Sequence, residues 1–536
     1  MKAFRLLFAL CCFPLAAHAQ NEWVLQPYIE VTGTRALQEL GKNVKGFMGS
    51  FPNNSFNVAV SEVGQTGLYT IHSPNDKTPQ RIYVGENVMH GDFNGDRYTD
   101  FAIWKNLALY PIDTVMVYFG NATGIDTLGG VIMQSEPGHN LSNFGQRMCS
   151  GDINSDGFDD LVITASQFGN AQGKVYLYMG DSNFDSLPDF TILGEYSRAI
   201  FGVNCAVGDL NADHFADVVI RGNNSQTPNF SFGYLNIYFG GAQFDTTKDL
   251  TSIRSPLNGP TDGLSIFDAN GDSIVDLLWA YRDSSLNTNK ILIHFGDNDF
   301  SERFVKSPDF IIPNPDSQRV GVSGFGNVIA NAGDMNGDGD DDIAIGAYYS
   351  FQGGGFVFVY TGGKVLDAKF DAAKGQAVEG QFGRSIDGVG DVNGDGLSDI
   401  IVGAPDWKFI TRQGYWGIFL GDRRIPTSVQ EKTDKNIPSV FSLSPNYPNP
   451  FNAGTRIQFS LPKAGELRMQ IFDVKGALVR RLAQAYYDAG THFITWDGRD
   501  AWGQPCASGV YLLKLSVFSP KGGEVYSATQ KLLLTR

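Results

Sequence analysis

Short apolar runs recur along the chain, each just after an acidic turn. Asp160-Leu161-Val162-Ile163 and Asp342-Ile343-Ala344-Ile345 are two of them. Unbroken apolar runs of this length, bounded by turn residues, predict strands buried on both faces. A polar turn follows each run, then an aromatic-rich strand ending in glycine. Val115-Met116-Val117-Tyr118-Phe119-Gly120, Val175-Tyr176-Leu177-Tyr178-Met179-Gly180 and Leu235-Asn236-Ile237-Tyr238-Phe239-Gly240 show the pattern, as do Ile291 to Gly296 and Phe356 to Gly362. A helical solenoid would repeat its apolar positions at a period of about 3.6, which is absent. Four short strands per repeat, with glycine-rich turns, predict the blades of a β-propeller.

The acidic turns share one spacing. Asp334, Asn336, Asp338 and Asp342 occupy positions 1, 3, 5 and 9 of a loop. The same residue types stand at Asp92, Asn94, Asp96 and Asp100, at Asp152, Asn154, Asp156 and Asp160, and at Asp209, Asn211, Asp213 and Asp217. They return at Asp268, Asn270, Asp272 and Asp276, and at Asp391, Asn393, Asp395 and Asp399. First positions are 60, 57, 59, 66 and 57 residues apart, a near-constant register that marks a repeat architecture. Carboxylates crowded into a short turn repel unless a cation lies between them. Hard oxygen donors on a flexible loop suit calcium better than magnesium, which demands a tight octahedron and keeps its waters. An EF-hand would need a Glu at position 12 and flanking helices. Position 12 here is Ile103, Ile163, Ile220, Trp279, Ile345 or Val402, each inside a predicted strand.

Residues 80–421 resemble FG-GAP repeats, the units of the integrin α-subunit propeller. Phe-Gly pairs precede four loops: Phe144-Gly145, Phe201-Gly202, Phe325-Gly326 and Phe382-Gly383. Gly403-Ala404-Pro405 closes the last repeat, with Gly346-Ala347 as a shortened counterpart. Two repeats depart, with Pro260-Thr261 and Val84-Gly85 where Phe-Gly is expected. The resemblance implies about six calcium ions, each held by the four side chains and the backbone carbonyl at position 7. That residue is Tyr98, Phe158, Phe215, Ile274, Asp340 or Leu397. It also implies seven blades and places the calcium loops on the face opposite the ligand-binding loops. Gly49 to Val60 reads as a seventh loop and strand that has lost its carboxylates, with Gly67 to His72 as its aromatic strand. The alternative is six blades with an N-terminal extension.

Beyond Ile425 the pattern stops. Pro426 to Leu443 reads as a linker, and alternating segments from Arg456 onward predict a small β-sandwich. Residues 444–536 resemble the C-terminal sorting domain of type IX secretion cargo. The resemblance rests on Tyr447-Pro448-Asn449-Pro450-Phe451-Asn452, Trp496-Asp497-Gly498-Arg499-Asp500, Ala507-Ser508-Gly509-Val510-Tyr511 and Lys531-Leu532-Leu533-Leu534. It implies a Gram-negative source, type IX secretion machinery as a partner, and release or anchoring outside the cell. Met1 to Ala19 carries a charged start, an apolar run and Ala17-His18-Ala19, a secretory leader too short to span a bilayer. The expected plan is all-β: leader 1–19, seven-bladed propeller 20–425, linker 426–443 and an immunoglobulin-like sandwich 444–536.

Charge agrees with the metal reading. The chain carries a net −16, yet residues 444–536 hold 11 Lys+Arg against 6 Asp+Glu. The deficit therefore lies in the propeller, where the six loops contribute eighteen Asp. Such a surface excludes nucleic acid as a partner. Cys149, Cys205 and Cys506 follow the leader and make no disulfide framework. Cys149 and Cys205 sit at offsets from their loops that differ by one residue, so two buried thiols are expected rather than a bridge.

No nucleophile elbow, zinc helix motif or phosphate loop is present. His72, His90, His139, His214, His294 and His492 are scattered through repeat positions, which reads as structural. The expected function is an exported binding or adhesion module for an extracellular protein or glycan, with no catalysis and no transmembrane segment. A propeller-based hydrolase or lyase scaffold and a structural subunit of a surface assembly are the alternatives.

Overall fold

The apolar runs after the acidic turns form strands that are buried along their whole length. Asp100–Lys105, Asp160–Ala165, Asp342–Ala347 and Asp399–Gly403 are examples. Each is second in an antiparallel sheet, with a strand on either edge and apolar clusters on its faces. The computed structural model describes residues 23–535 apart from 34–38, 49–55, 63–64, 72–80, 85–86, 106–111, 123, 127–128, 140–141, 228–229, 253–254, 257–261, 284–287, 306, 316–323, 351–353, 376–379, 407–411, 427–439, 445, 447–448, 453, 464, 488–489, 501–503 and 519–523. The leader, most of the linker, the turn from Gly49 to Ser55 and Pro260-Thr261 therefore lie outside the described residues.

The chain divides into two compact units, Met1–Val429 and Gln430–Arg536. Among the described residues the first unit contains seven sheets of four or five strands, besides one two-stranded ribbon. The first sheet is Val44–Met48, Phe56–Glu62, Gln65–Ile71 and Arg81–Val84. It carries no acidic loop, and Val58, Ala59 and Val60 are buried in it. The next six each begin with an inner strand leading into an acidic loop: Asn87–Gly91, Met148–Gly151, Asn204–Gly208, Leu264–Phe267, Phe325–Gly333 and Ser385–Gly390.

Sequence reading missed how the last sheet is completed. Its outer strand is Gln26–Thr32, from the start of the chain, paired antiparallel to Tyr415–Leu420. Trp23–Val24 likewise adds in parallel to Ala372–Gly375 of the sheet before it. The apolar clusters run from sheet to sheet. One joins Ala59 of the first sheet to Val88 and Phe101 of the second. Another joins Val58 and Val60 of the first to Ile401, Trp416 and Ile418 of the last. The inner strands of those two sheets also touch directly, where the Gly46 amide donates to Asp387 at 2.9 Å.

Cys149 and Cys205 form a disulfide, which corrects the expectation of two thiols. Their inner strands are adjacent, and the Cα atoms are 6.0 Å apart, within bridging range. The one-residue difference in offset amounts to about 3.3 Å along a strand, which a stagger between neighbouring strands absorbs. The bridge spans 56 residues and ties the third sheet to the fourth. Replacing both cysteines by serine is expected to cost about 2–4 kcal/mol of unfolding free energy by calorimetry under non-reducing conditions. Equal stability of the variant would show that the bridge contributes nothing to the fold.

The second unit has a three-stranded sheet of Ser442–Leu443, Thr455–Leu461 and Gly490–Trp496. A four-stranded sheet, in the order Leu478–Tyr487, Gly465–Phe472, Gly509–Phe518 and Glu524–Leu534, faces it across one core. Leu467, Met469 and Ile471 alternate into that core with Leu513, Leu515 and Val517. This is the predicted period of two.

Candidate metal centres

The six acidic loops fold alike because their side chains fold them. The position 1 carboxylate accepts from loop amides that follow it: Asp334 from Gly337, Asp338 and Gly339 at 2.6, 3.1 and 2.9 Å, and Asp391 from Gly394, Asp395 and Gly396 at 2.7, 3.0 and 2.7 Å. Asp92, Asp152, Asp209 and Asp268 do the same. The Asn at position 3 donates to the position 5 carboxylate in five loops, at 2.8 to 3.1 Å for Asn94, Asn154, Asn211, Asn336 and Asn393. In the sixth, Asn270 turns inward and donates to Asp276 at 3.2 Å. The position 5 carboxylates of Asp96, Asp156, Asp213, Asp272, Asp338 and Asp395 then accept from the amides of Tyr98, Phe158, Phe215, Ile274, Asp340 and Leu397 at position 7.

Position 9 has a role that spacing alone did not reveal. Asp100, Asp160, Asp217, Asp276, Asp342 and Asp399 are completely buried. One oxygen of each accepts from the position 2 amide of its own loop, and the other from the glycine that ends the aromatic strand. Asp100 takes Phe93 and Gly120 at 2.9 and 2.8 Å. Asp160 takes Ile153 and Gly180, and Asp217 takes Leu210 and Gly240. Asp276 takes Ala269 and Gly296, Asp342 takes Met335 and Gly362, and Asp399 takes Val392 and Gly421. The strand-ending glycine is required there: a Cβ at Gly362 would stand 1.9 Å from the Asp341 carbonyl, and one at Gly296 would stand 2.1 Å from that of Val275.

Burial pushes the carboxyls of Asp100, Asp160, Asp217, Asp276 and Asp399 up to about 7, and that of Asp342 well above its ordinary value. The two amide hydrogen bonds oppose this, and the carboxylates at positions 5 and 1 add to it. A loop that gathers three carboxylates at such a site gains from a dication.

The donor set fits calcium: carboxylates, an amide oxygen and a carbonyl, all oxygen. Asp92 Oδ1 and Asn270 Oδ1 are buried without a hydrogen-bond partner, as expected of oxygens that face a cation. Among the described residues no three His, Cys, Asp or Glu side chains converge as a finished metal site. The loops hold themselves by hydrogen bonds, with the amide of position 3 lying against position 5. A calcium ion would be held by positions 1, 3, 5 and 9 and the position 7 carbonyl, and would offset most of the charge of the loop's three carboxylates.

The loops are also laced to one another. The position 1 carbonyls of Asp92, Asp152 and Asp334 accept from the position 8 amides of the next loop, Asp159, Ala216 and Ser398. Carbonyls of Phe93, Ile153, Leu210, Ala269 and Met335 accept from the residue after the next repeat's strand-ending glycine. Phe158 lies over Gly95 of the preceding loop, and Asp340 over Gly271.

The Phe-Gly pairs are structural. Phe144, Phe201, Phe325 and Phe382 are buried in the apolar clusters, and the following glycines take φ between 78 and 89°. Three of these pairs open stretches that match the family described as FG-GAP repeat, at residues 144–178, 325–360 and 382–415. The chain carries FG-GAP repeats. Residues 446–520 match a second family, the FlgD Ig-like domain. Integrin alpha-V of Gallus gallus is 24% identical over 273 residues, covering 49% of this chain and 20% of the relative. Integrin alpha ina-1 of Caenorhabditis elegans is 28% identical over 268 residues, 47% of this chain and 19% of the relative. A phosphatidylinositol-glycan-specific phospholipase D of Dictyostelium discoideum is 33% identical over 302 residues, 51% of this chain and 29% of the relative. The chain thus spans less than a third of the length of each of these relatives. The all-β reading and the immunoglobulin-like character of the second unit hold.

Among the described residues the histidines do not converge on one site. His294 is buried against Phe304, with ring centroids 4.8 Å apart, and burial lowers its pKa to about 4. His139 stacks on Phe168, and His492 on Phe459. His72 lies outside the described residues.

Proposed function

We propose that this protein is an exported, calcium-stabilised seven-bladed propeller that acts outside the cell as a binding or adhesion module. The observation that carries this is the similarity of half the chain to integrin α subunits, centred on repeats whose loops have an all-oxygen donor set. The seven sheets and the cluster joining the last to the first support the blade count. The Cys149–Cys205 bridge suits an oxidising compartment beyond the inner membrane. No helix among the described residues is long and apolar enough to cross a membrane. The partner is an extracellular protein or glycan, and the acidic loops exclude nucleic acid.

The leader 1–19 directs export in this reading, and the unit after the linker directs delivery by type IX secretion from a Gram-negative cell. The domain plan is 20–425 for the propeller, 426–443 for the linker and 444–536 for the sorting domain. We read the chain as non-enzymatic. The phospholipase D relative favours a hydrolase scaffold as the second reading, but the match covers only 29% of that protein.

A glycan and matrix-protein array, probed with the full chain in calcium and in chelator, tests the binding role. Calcium-dependent capture of a defined ligand is expected, and hydrolysis of the array's ligands without retention would favour the scaffold reading. Truncation after Val429 should leave a folded propeller that stays off the cell surface. Normal surface display of that variant would remove the sorting role.

A further inference from the structure

Acidic loops are overlain by the loop of the next repeat. Phe158 and Leu397, at position 7, lie over the position 4 glycines Gly95 and Gly337 of the loops before them. The position 8 amides of Asp159, Ala216 and Ser398 donate to the position 1 carbonyls of Asp92, Asp152 and Asp334. Positions 7 and 8 therefore stand against the preceding loop. Three of these pairs are uncharged: Phe215-Ala216 after the Asp152 loop, Ile274-Val275 after the Asp209 loop and Leu397-Ser398 after the Asp334 loop. The Asp391 loop has no acidic loop after it in the chain.

Two loops differ. Against the Asp92 loop stands Asp159, whose Oδ2 accepts from the Asp92 amide at 2.8 Å. Against the Asp268 loop stands Asp340, whose Oδ1 would lie 2.2 Å from a Cβ on Gly271. Asp159 faces the like charges of Asp92 and Asp152, and Asp340 those of Asp338, Asp268 and Asp334, with Lys364 opposing. Each of these two loops thus meets a fourth carboxylate, supplied by another repeat. Asp341, beside Asp340, instead accepts from Asn331 of its own repeat at 2.7 Å.

The same two loops hold an oxygen without a donor. Both carboxylate oxygens of Asp152, Asp209, Asp268, Asp334 and Asp391 accept from loop amides, whereas Asp92 Oδ1 accepts from none. Asn270 is only 8% exposed; its amide nitrogen donates to Asp276, and its Oδ1 has no partner. Among the described residues no other acidic loop has such a buried side-chain oxygen. Calcium approaches oxygen to about 2.3–2.6 Å, closer than water does, so an oxygen shut to water still suits an ion lodged within its loop. Calcium affinity follows the charge gathered at a site.

We propose that Asp159 and Asp340 complete the calcium centres of the preceding repeats, which makes the Asp92 and Asp268 loops the two tight centres of the chain. Neither side chain displaces a loop ligand; each adds its charge from outside the loop. The tight pair fills at calcium levels that leave the other four loops empty, so calcium loads the unit in steps. The proposal rests on the reading of the loops as calcium centres and ranks them. Spacing hides the pair, because each carboxylate acts on the loop of an earlier repeat.

The test follows hydrogen exchange in peptides covering each loop of the full chain, at free calcium levels set by a chelator. Native mass spectrometry counts the bound ions. In the wild type, residues 92–100 and 268–276 are expected to gain protection at roughly tenfold less calcium than the other four loops. Asp159→Asn should raise the midpoint of 92–100 and Asp340→Asn that of 268–276, each by about tenfold, with six ions still bound at saturation. Ala216→Asp, which puts a carboxylate where Asp159 stands in its own loop, should lower the midpoint of 152–160. Both Asn variants should melt no lower than the wild type in chelator, since they remove a repulsion, and lower at limiting calcium. An equal drop with and without calcium would make Asp159 and Asp340 structural residues and overturn the proposal. One shared midpoint for all six loops, or Asn variants that leave the preceding loop unmoved, would also overturn it, with the calcium reading intact. No bound calcium and no calcium-dependent protection in the wild type would remove both.

Discussion

Removing calcium from the full chain is expected to lower its melting temperature by roughly ten degrees or more. A ligand that binds only the folded state stabilises it by mass action, about 2.7 kcal/mol per site at a hundredfold excess over Kd. Six independent loops would together contribute on the order of 16 kcal/mol, the largest single effect expected for this protein. The loops can keep their shape without the ion, because loop amides hold Asp334 and Asp391 from below. What chelation restores is the repulsion among three carboxylates per loop, one of them fully buried. The outcome expected in calorimetry is therefore a folded but weakened protein rather than a disordered one. A melting curve identical before and after chelation, with metal content shown to be zero by mass spectrometry, would end the calcium assignment.

The repeat architecture was legible because its physics is local. A buried strand, a turn that must reverse the chain, and a glycine at the strand end all leave marks within about twenty residues. Asp342 and Gly362 are such a pair, and the recurrence of Asp at position 9 with Gly at the end of the aromatic strand records their hydrogen bond. The second unit was legible for the same reason, since Leu467, Met469 and Ile471 alternate into its core. Three features were not readable. Gln26–Thr32 pairs with Tyr415–Leu420 at the far end of the unit, and no local pattern announces that partner. The disulfide depends on the stagger between neighbouring inner strands, which offsets counted along the chain do not report. Arg147, Asn327 and Arg384 each follow a Phe-Gly pair within two residues, yet local spacing does not show that the sheets bring them to the lining of one cavity.

Lacing between loops also changes the expected effect of single substitutions. Reading the loops as independent predicts that Asp338→Ala removes one ion and leaves five. In the structure Asp334 and Met335 of that loop accept from Ser398 and Asp422 of the next repeat. Leu397 also lies over Gly337, 2.9 Å from where a Cβ would stand. Loosening the Asp334 loop therefore weakens the Asp391 loop as well, and metal analysis of Asp338→Ala should show between one and two ions lost.

Asp342→Ala is expected to be far more damaging than Asp338→Ala, and the difference should persist in chelator. Asp338 is exposed, and its carboxylate serves only its own loop, through Asn336 and the Asp340 amide at 3.0 and 3.1 Å. Without calcium its removal should cost less than about 1 kcal/mol. Asp342 is wholly buried and joins the start of its loop to the end of the aromatic strand through Met335 and Gly362. Alanine there leaves two buried amide donors without acceptors, each costing about 1–3 kcal/mol, and opens a small cavity. The expected loss is about 5 kcal/mol by denaturant unfolding in excess chelator. Asp342→Asn, which keeps one acceptor oxygen, should fall between the two. If Asp342→Ala and Asp338→Ala were equally stable without metal, position 9 would be a ligand and nothing more. The recurrence of its partner glycine in every acidic repeat would then need another cause.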